Sequence, residues 1–365
     1  MSATVARDAL HTALEDALRR RFDGRIEAAT LYGEEFAELW RTTAEGARGG
    51  KLLRPRLLVE VFRELVGSRT AADDEAMVIE VATAIELLHY SFLLHDDVID
   101  GDVLRRGRPN VIGTLATGAI PTVPSVHDAE RAAHWGRTGA ILMGDLLLAG
   151  AVLDFARADI PAPARSRLLA LVDDVVSETV AGELADVSFS DRVVTPDLPT
   201  ILRMTTRKTA VYSFELPLRC AAILAGATSA AEEALASAGR SIGLAYQLQD
   251  DVLSVFGDPD AHGKDPHSDL REGKETAIIA YARMTSAWPQ IGARFGAADL
   301  SDHEAAEIRR GLRGCGAEQF VNNLVTEQLS EAGTVIDDAV RRGILPEGVR
   351  PLFLSLISRL TGRRS

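Results

Sequence analysis

"MVIEVATAIELLHYSFLLHDDVID", residues 77–100, decides the fold class. Apolar residues recur three and four apart along it, the period of a helix rather than a strand. Few of its faces are polar before Asp96, so it belongs at the centre of a bundle, wrapped by other helices. The same period runs through "ALHTALEDALRRRFDGRI", "RLLALVDDVVSETVAGELADV", "LPTILRMTTRKTAVYSFELPL" and "AEEALASAGRSIGLAYQLQDDVL". Strand-like alternation is scarce, and Asn-Gly or Asp-Gly hairpin signals with flanking strands are absent. The expected fold is all-α.

The chain has 365 residues, 46% of them hydrophobic, which is enough for a large core. A net charge of −13 repels phosphate backbones and argues against nucleic-acid binding. Cys220 and Cys315 are the only cysteines, so neither a disulfide framework nor a cysteine-rich zinc site is expected, which fits a reducing cytoplasm. The amphipathic start, "MSATVARDALHTALEDALRRR", lacks the apolar core of a signal peptide. The longest apolar runs, such as "AILMGDLLLAGAVLDFA", are broken by Asp, and no membrane span is expected. Three stretches rich in Gly, Pro and polar residues read as loops: "RGRPNVIGTLATGAIPTVPSVHDAE" (106–130), "SDRVVTPDLP" (190–199) and "FGDPDAHGKDPHSDLREGKET" (256–276). Composition does not shift across them, so 1–365 reads as a single domain.

The central helix continues into "DGDVLRRG" (100–107), which places Asp96, Asp97 and Asp100 just before Arg105 and Arg106. Asp96 and Asp100 are four apart and stack on one helical face, where like charges repel by a few tenths of a kcal/mol per pair. A hard cation removes that repulsion, and carboxylate oxygens with room for water suit Mg²⁺. A solvated helix end is the alternative for this segment alone. A second apolar helix also ends on an Asp pair, Asp250 and Asp251 in "YQLQDDVLS", with Lys264, Asp269 and Lys274 following. Two such ends with cations nearby are the chemistry that grips a diphosphate: metal neutralises oxygens, and Arg supplies bidentate donors.

Three further segments fit that chemistry. "ARGGKLLRPRLL" (47–58) places Lys51 and Arg54 three apart, on one helical face, at a glycine-led helix start, where backbone N–H groups also favour anions; Pro55 fits an early helical turn. His89 lies seven residues before Asp96, and by itself, among Leu87, Leu88 and Tyr90, it reads more readily as a core histidine. Lys208, followed by Thr209, stands among apolar helical residues and is costly unless paired, by a diphosphate or by a Glu elsewhere in the chain.

Taken together, "GGKLLRP", "ELLHYSFLLHDDVIDGDVLRRG", "MGDLLLA", "RKTAVYSFELPL", "YQLQDDVLSVFGD" and "GKDPHSDLREGK" resemble, in order, the motifs of the trans-isoprenyl diphosphate synthases of the polyprenyl synthetase family, over residues 49–274. The resemblance implies a bundle of roughly ten or more helices around a central active-site cavity, usually in a homodimer. It implies head-to-tail condensation of isopentenyl diphosphate with an allylic diphosphate (dimethylallyl, geranyl or farnesyl), with about three Mg²⁺ per active site. Asp96, Asp97 and Asp100 are then expected on metal from one side, and Asp250 and Asp251 from the other. Arg105, Lys208, Lys264 and Lys274 are expected on the allylic diphosphate, and Lys51, Arg54, His89 and Arg106 on the isopentenyl diphosphate. Thr209 and Gln247 are expected beside the developing allylic cation. One position departs from the pattern: Ser254 stands where the family often has a further Asp, so the second metal site is short of one charge.

The product tail is expected to grow along the helix that ends at Asp96. One helical turn rises about 5.4 Å, close to one extended isoprene unit, so Ser91 and Phe92 meet the tail first and Leu88 lies a turn deeper. A small Ser91 beside a large Phe92 predicts a C20 product, geranylgeranyl diphosphate, with C15 farnesyl diphosphate as the alternative. A class I terpene cyclase, which normally lacks the "GGKLLRP" cations and the second Asp pair, and a non-catalytic synthase subunit are the competing readings.

Overall fold

The computed structural model describes residues 3–67, 72–118, 128–257 and 268–362. Contacts within the chain divide it into two compact units, Met1–Leu169 and Ala170–Ser365. Nearly all of the described secondary structure is helical, as the periodicity predicts.

The first unit contains α1 (Ala3–Ala29), a 3₁₀ turn (Thr30–Tyr32), α2 (Glu34–Ala47), α3 (Leu53–Val66), α4 (Ala72–Ile99), α5 (Val111–Ala116) and α6 (Ala129–Arg157). The stretch 77–100 is thus the main part of α4. Leu58 of α3, Ile85, Leu88 and Leu94 of α4, and Met143 and Phe155 of α6 are fully buried and form the core of this unit. Each such side chain stabilises the fold by about 1.5–3 kcal/mol through burial. α4 lies directly against α6: a Cβ on Gly144 would come within 2.5–2.9 Å of the His95 ring, so only glycine leaves room for it. By length and composition α4 and α6 are each apolar enough to cross a membrane, more so than the interrupting Asp residues suggest, yet 61% and 50% of their most apolar windows are buried inside the protein. That burial is what core helices require.

Two local features of this unit depart from the sequence expectation. Leu104–Arg105 (β1) and Arg108–Pro109 (β2) pair antiparallel, Leu104 with Pro109 and Arg105 with Arg108. The two turn residues, Arg106 and Gly107, both have positive φ (54° and 71°), the geometry of a tight hairpin, here built on Arg-Gly instead of Asn-Gly. The stretch 106–130 is also not all loop. Asn110 caps α5, its Oδ1 accepting from Gly113 N at 2.9 Å, while residues 119–127 lie outside the described residues.

α7 (Ala162–Ser190) carries the chain into the second unit, which continues with α8 (Leu198–Thr205), a π-helical segment (Thr206–Glu215), α9 (Leu216–Leu224), α10 (Ser229–Phe256), α11 (Ser268–Glu272), α12 (Ala277–Arg283), α13 (Trp288–Ile291), α14 (Asp302–Gly314), α15 (Ala317–Arg341) and α16 (Val349–Thr361). α8, the π segment and α9 form one continuous rod. Pro217 sits inside it and cannot donate to the preceding turn. The wider register absorbs the mismatch, with Leu216 N donating to Val211 O, five residues back. Gly243 of α10 lets that helix approach closely, since a Cβ there would lie 2.5 Å from Ala210 Cα in the π segment. Buried Ile201, Phe214, Leu216 and Phe353 anchor this unit's core.

Candidate active site

In the first unit, α4 runs out at Ile99, Asp100 N still donates to Asp96 O at 2.8 Å, and Gly101 (φ 73°) ends the helix. Asp96 and Asp100 therefore keep helical spacing, and their carboxylate oxygens come within 4.8 Å of each other. Two hard oxygens this close on one face are a donor set that fits a divalent metal ion.

Asp97, on the neighbouring face, is buried and paired with Arg105: the guanidinium donates from Nε at 3.1 Å and from Nη2 at 2.5 Å, both to Oδ1. Burial pushes the Asp97 carboxyl above its ordinary value, Arg105 pulls it down, and Asp96 and Asp102 push it up again. Arg105 is the last residue of β1, so the hairpin holds it back against the helix end. The base of the hairpin is fixed by Asn110, whose N donates to Val103 O at 3.0 Å and whose Nδ2 donates to Asp102 O at 2.8 Å. His95 is oriented from the α6 side: Gly144 leaves room for its ring, and its Nε2 lies 3.1 Å from Asp145 Oδ1. The "GD" of "MGDLLLA" thus seats the residue next to Asp96, a role that no local pattern announces.

A cationic corner lies in the same unit. α3 begins at Leu53, so Lys51 stands outside the helix, exposed, and Arg54 inside it; the two do not share a helical face as expected. Leu52 (φ 45°) precedes the helix without a side-chain cap, and Pro55 occupies the third helical position. First-turn N–H groups without a side-chain cap beside basic residues suit an anion. His89 is held well below its ordinary pKa by burial and by Arg54, Arg105 and Arg106, and is neutral near pH 7. Glu86, one turn before His89, was not legible as a site residue. Its Oε1 and Arg106 Nη2 are each 3.7 Å from where a Gly50 Cβ would stand, and its Oε2 accepts no hydrogen bond among the described residues. Burial pushes this carboxyl up, against the pull of Arg54 and Arg106.

Ser91 and Leu88 are fully buried, and Ser91 Oγ donates to Leu88 O at 2.7 Å; Phe92 is half-buried.

In the second unit, α10 carries Gln247, Asp250, Asp251 and Ser254. Asp251 is buried and accepts from Gln247 Nε2 at 2.9 Å. Burial pushes its pKa up to about 7; Gln247 and Lys274 oppose the shift, while Asp269 and Asp250 add to it. Ser254 Oγ donates to Asp269 Oδ2 at 2.5 Å, so a carboxylate from α11 stands beside the position where α10 itself lacks one. Lys274 follows α11, its N donating to Asp269 O at 2.9 Å; Lys264 lies outside the described residues.

Lys208 and Thr209 lie half-buried in the π segment. The Lys208 ammonium is paired, as its apolar setting demands: Nζ is 2.7 Å from Asp186 Oδ2 and 3.0 Å from Glu183 Oε2. Both carboxylates belong to α7 and were missed in the sequence. Their spacing of three on an apolar helix is the only available signal.

The first unit thus offers a metal-suited carboxylate pair beside a cationic corner, and the second an acidic helix end with a paired lysine. These are the parts of a metal-assisted diphosphate enzyme. Comparison with known proteins gives the family. The sequence profile of the polyprenyl synthetases matches residues 37–305, across both units. The geranylgeranyl diphosphate synthase of Methanosarcina mazei is 32% identical over 289 residues, 79% of this chain and 80% of that protein. The (2E,6E)-farnesyl diphosphate synthase of Mycobacterium bovis is 31% identical over 305 residues, 81% of this chain and 75% of that protein. The crystal structure of geranylgeranyl pyrophosphate synthase from Corynebacterium glutamicum, complexed with isoprenyl diphosphate and magnesium, superposes with a TM-score of 0.84 at 27% identity, covering 96% of this chain and 98% of that one. The chain belongs to the polyprenyl synthetase family and is a prenyltransferase.

Proposed function

We propose that this prenyltransferase condenses isopentenyl diphosphate head-to-tail with an allylic diphosphate to give a short all-trans prenyl diphosphate, and that the product is C20 geranylgeranyl diphosphate. The observation that carries the reading is the pairing, within one unit, of the Asp96–Asp100 donor set with the Arg54, His89 and Arg106 corner. One suits a metal-bound diphosphate, the other a second anion. The bound metal, Mg²⁺ and about three ions per site, supplies charge neutralisation for the leaving diphosphate.

The chain's own residues do the rest. Asp96 and Asp100, with Asp250 of the second unit, supply hard oxygens; Asp97 and Asp251 complete the two acidic ends. Arg105, anchored by Asp97, and Lys208, Lys264 and Lys274 grip the allylic diphosphate and stabilise charge that grows on it as its C–O bond breaks. Lys51, Arg54, neutral His89 and Arg106 hold the isopentenyl diphosphate so that its double bond faces the allylic carbon. Thr209 and Gln247 line the path of the developing cation with oxygen dipoles. The proton lost at the end leaves on the released diphosphate, so no protein base is required.

C15 farnesyl diphosphate is the second reading, favoured by the similarity to the mycobacterial farnesyl diphosphate synthase. Ser91, Phe92 and Leu88 are proposed to set the length. Residues 1–365 act as one synthase domain in the cytoplasm, as a homodimer; the exposed apolar residues Trp135, Ile141, Leu142, Leu146, Val152 and Leu153 of α6 support the dimer. Feeding an allylic diphosphate with and without isopentenyl diphosphate tests the reaction type. A linear, longer product only when both are present supports the synthase; a cyclic hydrocarbon from the allylic diphosphate alone refutes it.

A further inference from the structure

α7 approaches the π segment at Gly182. A Cβ at this position would lie 2.4 Å from Lys208 N, 2.8 Å from Lys208 Cα and 2.9 Å from the carbonyl carbon of Arg207. All three are backbone atoms and cannot swing aside, so any side chain would push the two helices apart. Glu183 and Asp186 follow on the same helix, one and four residues on. Asp186 stacks one turn above Gly182, and Glu183 flanks it. Their carboxylates reach the ammonium of the residue whose backbone Gly182 touches: Asp186 Oδ2 at 2.7 Å, Glu183 Oε2 at 3.0 Å and Oε1 at 3.2 Å. Asp186 is buried, and Glu183 and Lys208 are half-buried. One helix face therefore holds Lys208 at both ends, glycine against the backbone and two carboxylates on the head group.

This arrangement has a chemical consequence. A lysine ammonium is a point charge on four rotatable carbons, and no planar fork fixes its direction. It has three N–H donors, and carboxylates are its strongest partners. Two carboxylates from one rigid helix select a single direction for it before any substrate arrives, the pre-organisation that electrostatic catalysis needs. Lys208 lies in the π segment, and the proximity of Gly182 to its backbone makes the reach to the α7 carboxylates short.

We propose that Gly182, Glu183 and Asp186 are positioning residues that act through Lys208, aiming its ammonium at the allylic diphosphate. This rests on the reading of Lys208 as a ligand of that diphosphate.

The test is a double-mutant cycle in the full-length protein, with kcat and KM measured for the allylic and isopentenyl diphosphates. Lys208→Gln, Asp186→Asn and the double variant are compared, each checked for folding by circular dichroism and melting temperature. Asp186→Asn is expected to raise the allylic KM or lower kcat about tenfold while the isopentenyl KM stays within about twofold. On the Lys208→Gln background the same change is expected to add less than about twofold, because the residue it acts through is gone. Gly182→Ala, provided that it folds, is expected to show the same selective loss. A full additional loss from Asp186→Asn in the double variant overturns the inference, as does wild-type behaviour of Asp186→Asn alone. If Lys208→Gln leaves the allylic constants unchanged, the reading of Lys208 as a diphosphate ligand fails and takes the inference with it. If Lys208→Gln is damaging and Asp186→Asn is not, the cradle alone is refuted.

Discussion

Ser254 Oγ donates to Oδ2 of Asp269 at 2.5 Å. The family pattern left the α10 acidic end one charge short at Ser254. The structure brings a carboxylate to that point from fifteen residues further along the chain. Asp269 also acts on Asp251, helping to push its carboxyl up. Asp269→Asn is therefore expected to raise the Mg²⁺ concentration for half-maximal activity about tenfold, the effect of one lost charged partner worth ~1.4 kcal/mol. Ser254→Ala, which keeps the carboxylate, is expected to cost much less. A magnesium titration in which Asp269→Asn matches wild type contradicts this role.

His89 is neutral at working pH because burial and then Arg54, Arg105 and Arg106 all disfavour its charged form. It is therefore expected to serve as a hydrogen-bonding group and not as a cation. His89→Gln should leave the isopentenyl KM within about threefold, whereas His89→Leu should raise it about tenfold or more through an unmet polar partner. The pH–KM profile should show no imidazole step near 6.5. The sign for stability follows from the lowered folded value: the contribution is present above the unfolded pKa of 6.5 and is lost as pH falls from there toward the folded value. A cationic role would instead make Gln as harmful as Leu.

Phe92 is the large side chain one turn before Asp96, beside buried Ser91. Phe92→Ala removes bulk where the tail is proposed to end, and the product should lengthen by at least one C5 unit, read by chromatography of the dephosphorylated alcohols. An unchanged product places the floor elsewhere.

The apolar strip on α6 is proposed to be covered by a second copy. Leu142→Glu, at an exposed position of that strip, should convert the dimer to monomer in light scattering at micromolar concentration, since a buried unpaired charge costs several kcal/mol. If wild type is itself a monomer, the dimer proposal fails.

The helices and both Asp pairs were legible because each is a local pattern: a 3.6-residue period, then carboxylates at its end. What stayed hidden is non-local. Glu183 and Asp186 pair with a lysine more than twenty residues away on another element. Asp269 reaches Ser254 across residues 258–267, and Glu86 acquires its setting only when α3, α4 and the hairpin meet. The π segment results from a register shift ahead of Pro217 that periodicity does not resolve. The Arg-Gly turn escaped because Arg106 adopts a φ usually left to Asn or Gly.

The most direct measurement is product sizing by the purified protein with Mg²⁺, isopentenyl diphosphate and, separately, dimethylallyl, geranyl and farnesyl diphosphates, alongside Asp96→Asn. The predicted result is a linear C20 diphosphate from at least one primer, dependent on both substrates and lost in Asp96→Asn. No isopentenyl-dependent product from any primer, or full activity in Asp96→Asn, would contradict the account.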